Sequence, residues 1–240
     1  MKYRILMLLK FLCFIPVQAQ ENLEEIVKTK VNEVIKNLDW AGIDKYNKQN
    51  ELQISKSSPD AVFMGDSITE GWSFFLPEFF SNNNYINRGI GGQTTSQMLI
   101  RFRQDVINLK PKSVVILAGI NDIARNNKFY SLEIIAENIF SMVELAKING
   151  IAPIICSVLP ADEFSWNPDI SPADSVIKLN TLLKAYANKN QIIYLNYFDE
   201  MDNNNGGLRV ELTSDGVHVT KKGYELMSVL AKQSVSTTFK

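Results

Sequence analysis

At 240 residues and 27.2 kDa the chain is long enough for one large domain, or two small ones, with a full core. Its 45% apolar and 21% charged residues exclude disorder, collagen and coiled coil as descriptions of the whole. The 25 basic and 26 acidic residues leave a net charge of −1, with no basic excess for a nucleic-acid backbone, and one His with two Cys exclude a disulfide scaffold and leave almost nothing for a His/Cys zinc site.

Residues 1–19 read MKYRILMLLKFLCFIPVQA. Lys2 and Arg4 make a basic start, an apolar stretch follows, and Val17-Gln18-Ala19 offers a cleavage point, the pattern of a secretory signal peptide. The stretch is short and broken by Lys10, so no stable membrane insertion is expected after cleavage. The protein is expected to be exported, to a periplasm or beyond the cell. Cleavage would remove Lys2, Arg4, Lys10 and Cys13 and no acid, leaving a more acidic protein with the lone Cys156. Cys156 lies in an apolar run and reads as a buried, inert thiol.

Residues 20–58 form a predicted helical extension packed on the domain, with Leu23, Ile26, Val27, Val31, Val34, Ile35 and Leu38 at helical spacing. From residue 59 the period changes. Strands are predicted at 61–64, 85–87, 114–117, 151–158 and 192–195, and amphipathic helices at 96–109, 132–148, 176–188 and 221–234. Pro111 stops the first of these helices and Gly150 the second. Near-continuous apolar strands separated by helices imply one α/β domain, 59–240, with a parallel sheet covered on both faces. In such sheets the site lies at the carboxyl ends of the strands.

Those ends carry a consistent set of residues. The first strand is followed by Gly65-Asp66-Ser67, the second by Gly89-Ile90-Gly91-Gly92-Gln93, the third by Gly119-Ile120-Asn121-Asp122, and the last helix is preceded by Asp215-Gly216-Val217-His218. Acyl transfer needs these types. A serine hydroxyl needs a neighbouring base, histidine titrates near neutral pH, and a carboxylate orients the imidazole. Asp215 and His218 are three apart, so one turn brings carboxylate to ring. Oxyanion donors are available from the Ser67 N–H, a glycine N–H and the Asn121 amide. None of this chemistry needs a metal, and the expected cofactor is none, although composition does not exclude an all-carboxylate Mg or Ca site.

In this order the four blocks resemble those of the SGNH (GDSL) hydrolase superfamily, over about residues 61–230. The resemblance implies a three-layer α/β/α sandwich with a five-stranded parallel sheet, a flavodoxin-like SGNH hydrolase fold. It implies Ser67 as nucleophile and first oxyanion donor, His218 as base, Asp215 as its orienter, and Asn121 as a further donor. The family's second-block glycine follows an asparagine by five residues, so Asn87 points to Gly92, with Gly91 one residue away. Val219 stands where the family often has proline. The alternative α/β-hydrolase elbow, Gly-x-Ser-x-Gly, is disfavoured because Thr69 replaces the second glycine.

The run MGDSITEGW, 64–72, with the glycines of 89–92, resembles the platelet-activating-factor-acetylhydrolase-like branch and neighbouring carbohydrate esterases. That implies small acyl groups, above all acetyl, and a small acyl ester or acetylated glycan as partner. Trp72 and Trp166 are candidate substrate contacts, and Phe74 and Phe75 are read as core. The competing readings are a lysophospholipase or thioesterase for longer acyl chains, an acyltransferase, and a non-catalytic glycan-binding module. The sequence leaves the oligomeric state open.

Overall fold

The computed structural model describes residues 25–31, 34 and 39–239. The predicted signal peptide lies outside the described residues. The chain divides into two units at Trp40. In the first, residues 25–31 are helical, with Ile26, Val27 and Val31 exposed. The second begins at Ala41, earlier than the change of period at residue 59.

Within that second unit a short 3-10 turn, Ile43–Tyr46, leads into helix α1, Asn47–Ile54. Five strands follow: β1 Ala61–Gly65, β2 Tyr85–Gly89, β3 Ser113–Leu117, β4 Ala152–Cys156 and β5 Ile193–Leu195. All neighbours pair in parallel, in the order β2-β1-β3-β4-β5. β1 (AVFMG) and β3 (SVVIL) are buried at every position, as central strands covered on both faces must be. The edge strand β2 (YINRG) is only half-buried over its first three residues, which is why its sequence signal is weaker. The predicted α/β class and five-stranded sheet are therefore present, with each predicted strand in place to within a few residues.

The helices that follow the strands are α2 Ser67–Phe75, α3 Pro77–Ser81, α4 Thr95–Asp105, α5 Ile120–Ile123, α6 Leu132–Ile148, α7 Ala173–Lys189, α8 Phe198–Met201 and α9 Lys221–Thr237. α4, α6 and α7 pack side by side against the sheet, and α2 packs with α9. α6 begins where the Ser131 hydroxyl accepts the Ile134 N–H and lays Ile135, Ile139, Met142, Val143 and Ala146 on the sheet. α4 opens on a capping box between Thr94 and Gln97. The sequence pattern does not reveal α2, because Ile68, Thr69 and Trp72 are buried while Phe74 is 82% exposed, so no simple polar face repeats. α5 and α8 are four residues each, too short to show a period.

The order reverses between β1 and β3. β1 connects to β2 on one side, whereas β3, β4 and β5 run away on the other. The crevice at the carboxyl ends of β1 and β3 is the place where such sheets bind ligands, and Ser67 and Asn121 follow those two strands.

Candidate active site

Ser67 is the first residue of α2, and Asp66 is its N-cap: the Asp66 Oδ1 accepts the Ile68 N–H at 2.9 Å. Asp66 is 1% exposed and its Oδ2 has no hydrogen-bond partner. Burial pushes its carboxyl up to about 7, against the Ile68 N–H and the His218 ring, which pull it down.

The Ser67 Oγ lies 3.0 Å from the His218 Nε2, across 151 residues of chain. The His218 Nδ1 lies 2.7 Å from the Asp215 Oδ2. The other carboxylate oxygen accepts the Val217 N–H at 3.0 Å and the His218 N–H at 2.7 Å, so the turn between the two residues holds the carboxylate against the ring. Thr213 closes the turn: its hydroxyl donates to the His218 carbonyl at 2.8 Å and accepts the Gly216 N–H at 3.0 Å. Although burial acts to raise the Asp215 carboxyl, the His218 N–H and ring and the Val217 N–H outweigh it and hold it below the usual carboxylate range.

The glycine loop after β2 sits against α2. A Cβ on Gly89 would lie 2.1 Å from the Glu70 backbone nitrogen, so β2 and α2 meet at a distance only glycine permits. A Cβ on Gly91 would lie 3.8 Å from the Ser67 Cβ, which sets the loop beside the hydroxyl. The Gly91 N–H donates to the Glu70 Oε2 at 2.8 Å. The Gly92 N–H has no acceptor among the described residues, and Gly92 takes a φ of +74°, in the left-handed region. Asn121, on α5, donates one amide hydrogen to the Gln93 carbonyl at 3.1 Å, while its Oδ1 accepts from the Asn126 Nδ2 at 2.7 Å. That leaves its second amide hydrogen for another partner. Asp122 faces away from this chemistry: it accepts the Thr95 N–H at 2.9 Å and the Thr95 hydroxyl at 2.7 Å, and burial pushes it up to about 6.

The two tryptophans part company. Trp72, expected as a candidate substrate contact, is 1% exposed. It stacks on Phe79 at 4.9 Å and donates its indole N–H to the Ser228 hydroxyl at 3.1 Å, so it is a core residue joining α2 to α9. Phe74 and Phe75, read as core, are instead exposed. Trp166 is 45% exposed, leans on Phe164 at 5.1 Å, and its ring centre lies 6.1 Å from that of His218. Glu70, Asn126 and Arg101 also shape the site. No local motif marks them: Glu70 meets Gly91 across 21 residues, and Asn126 and Arg101, though only 5 and 8 residues from Asn121 and Gln93, stand in no pattern that signals those contacts.

Among the described residues no group of three or more His, Cys, Asp or Glu is arranged to hold a metal, and no helix is long and apolar enough to cross a membrane. A hydroxyl, an imidazole and a carboxylate in one hydrogen-bonded row, beside free N–H donors at a helix start, can activate the oxygen and stabilise an oxyanion.

The family model of the GDSL-like lipase/acylhydrolase family matches residues 63–226. The solved structure of a GDSL-like lipase from Bacteroides thetaiotaomicron is 45% identical, with a TM-score of 0.78 over 82% of this chain and 98% of that one. The human platelet-activating factor acetylhydrolase IB subunit alpha2 is 30% identical over 197 residues, 78% of this chain and 81% of that protein. The lipoprotein YqeF of Bacillus subtilis is 31% identical over 121 residues, 43% of this chain and only half of that protein. An acetylxylan esterase from Geobacillus stearothermophilus shares the fold at 19% identity, with a TM-score of 0.60 over 75% of this chain and 94% of that one.

Proposed function

The chain belongs to the GDSL-like lipase/acylhydrolase family, and from that premise we propose that it is an exported serine esterase that removes small acyl groups, acetyl above all, from carbohydrates. The observation that carries the catalytic part is the row from Ser67 Oγ to His218 Nε2, 3.0 Å, and from His218 Nδ1 to Asp215 Oδ2, 2.7 Å.

In this reading Asp215 accepts the Nδ1 proton and so leaves Nε2 free to take the proton of Ser67. Ser67 attacks the ester carbonyl. The oxyanion is met by the N–H groups of Ser67 and Gly92 and by the free amide hydrogen of Asn121. The tetrahedral species collapses, His218 returns its proton to the leaving alcohol, and water then releases the acyl group by the same steps in reverse. Gly92 is preferred to Gly91 because the Gly91 N–H is already held by Glu70.

Support for acetyl comes from the platelet-activating factor acetylhydrolase relative. Support for a sugar is the half-exposed Trp166 beside His218, a platform on which a pyranose ring can stack. Export is supported by the basic-then-apolar start of the sequence and by the lipoprotein relative.

The test is hydrolysis of p-nitrophenyl acetate against longer acyl esters, and of acetylated xylan, by wild type and Ser67→Ala. The expected result is acetyl-selective turnover that Ser67→Ala abolishes, with acetate released from the polysaccharide. Selectivity for long chains would favour a lysophospholipase or thioesterase. Binding of the polysaccharide without turnover would favour a glycan-binding module.

A further inference from the structure

The family match begins at residue 63, yet a segment ahead of it reaches the glycine loop at several points. The Ala41 carbonyl accepts the Gln93 Nε2 at 2.7 Å. The Tyr46 hydroxyl donates to the Gly89 carbonyl. The Lys45 Nζ donates to the Glu70 Oε1 at 2.9 Å, and the other oxygen of that carboxylate takes the Gly91 N–H at 2.8 Å. Below the loop, Asn50 is 5% exposed and bridges two charged side chains: its Nδ2 donates to Asp105 at 2.6 Å and its Oδ1 accepts from Arg88 at 2.9 Å. The fully buried Arg101 ties Asp105 to the Gln93 Oε1 and to the Gly65 carbonyl, at 2.7, 2.6 and 3.1 Å. Gln93 in turn receives the Asn121 amide on its backbone carbonyl.

The contacts of residues 41–50 fall on Gly89 and Gln93, at the two ends of the loop that carries the Gly92 N–H, and on Glu70, one turn after Ser67, which in turn holds the Gly91 N–H. We propose that residues 41–50 are a strut that sets the oxyanion loop, with Lys45, Tyr46 and Asn50 as positioning residues for the reaction. The proposal rests on the reading of Gly92 and Asn121 as oxyanion donors. Its physical basis is that a donor helps only when it is held in advance at hydrogen-bond distance from the developing charge, whereas an untied loop wanders. The contacts of the strut are with the loop, Glu70, Arg88 and Asp105, not with Ser67 or His218. The Lys45–Glu70–Gly91 relay also occupies the competing Gly91 N–H, which leaves the next one for the oxyanion. Burial, with Glu70 alongside, pushes the Tyr46 phenol up to about 12, so it remains a donor at any ordinary assay pH.

The Lys45–Glu70 pair is well exposed, at 48% and 39% of its side chains, so breaking it costs little stability. That separates positioning from folding. The experiment measures kcat and KM for p-nitrophenyl acetate, with melting temperatures, in wild type, Lys45→Ala, Lys45→Arg, Tyr46→Phe and Ser67→Ala. Acylation and deacylation both pass through an oxyanion, so kcat reports on the donors whichever step is slower. Lys45→Ala and Tyr46→Phe are expected to lower kcat about tenfold, a part of the hundredfold or more lost with a whole donor. KM should stay within about twofold, and Lys45→Arg should restore the rate. Wild-type kcat in both variants, a loss carried by KM alone, or a loss that tracks a fall in melting temperature would overturn the strut. Activity surviving in Ser67→Ala would instead overturn the reading of the site itself.

Discussion

A single hydrogen-bonded row of three side chains sets what this site can do. In the proposed reaction His218 takes the Ser67 proton only while neutral, so kcat/KM on acetyl esters is expected to fall on the acid side of the profile; a rate flat from about pH 5 to pH 8 would argue against His218 as base. Asn121→Ala removes one side-chain donor and should cost about a hundredfold or more in kcat with KM little changed, read from the same assay. The tryptophans give a paired test. Trp72→Phe loses the indole bond to Ser228 and some buried surface, so stability should drop by about 1–3 kcal/mol in urea unfolding while kcat/KM on p-nitrophenyl acetate holds. Trp166→Ala should do the reverse and weaken turnover of the acetylated polysaccharide most. Equal behaviour of the two variants would refute the assignment of one to the core and the other to the site.

At the scale of elements, the site depends on how closely β2 approaches α2. Gly89 permits that approach, and an added Cβ would meet the Glu70 backbone rather than a side chain that could swing aside. Gly89→Ala should therefore destabilise the fold by about 3 kcal/mol, at the upper end for overpacking, seen as a lower urea midpoint. A variant as stable as wild type would mean that β2 and α2 part freely. The start of α2 is as constrained: Asp66 caps the helix and in doing so places the Ser67 N–H at an unpaired, positive helix end. α5 places Asn121, and α4 is tied to it through Thr95 and Asp122, so three helix starts surround the crevice at the reversal of strand order.

Over the molecule as a whole, two buried carboxylates near the site link folding to pH. Asp66 and Asp122 are pushed up by burial to about 7 and about 6. Each is raised in the folded state, so between about pH 4 and these values the folded protein holds protons that the unfolded chain has released. Stability from these groups is therefore full below about pH 4 and is lost progressively as the pH rises from there to about 6 for Asp122 and about 7 for Asp66. Asp66→Asn should remove the larger part of that slope, measured as the difference in urea stability between about pH 5 and pH 8. An unchanged slope in the variant would show that Asp66 stays ionised throughout.

The sequence by itself determined the class, the run of strands and long helices, and the residues at the strand ends. It could do so because apolar runs such as 61–64 and 114–117, helical stripes such as 132–148, and blocks such as Gly65-Asp66-Ser67 and Asp215-Gly216-Val217-His218 are all local in the chain. Only the tertiary structure decided that Trp72 belongs to the core and Trp166 beside His218, that Glu70 holds Gly91 and leaves Gly92 free, and that residues 41–50 reach the glycine loop. Those pairings join residues tens to more than a hundred positions apart, as between Trp72 and Ser228 or Lys45 and Glu70. No period or motif encodes such distances. They follow from which faces the sheet and helices bury, and that is settled when the whole chain packs.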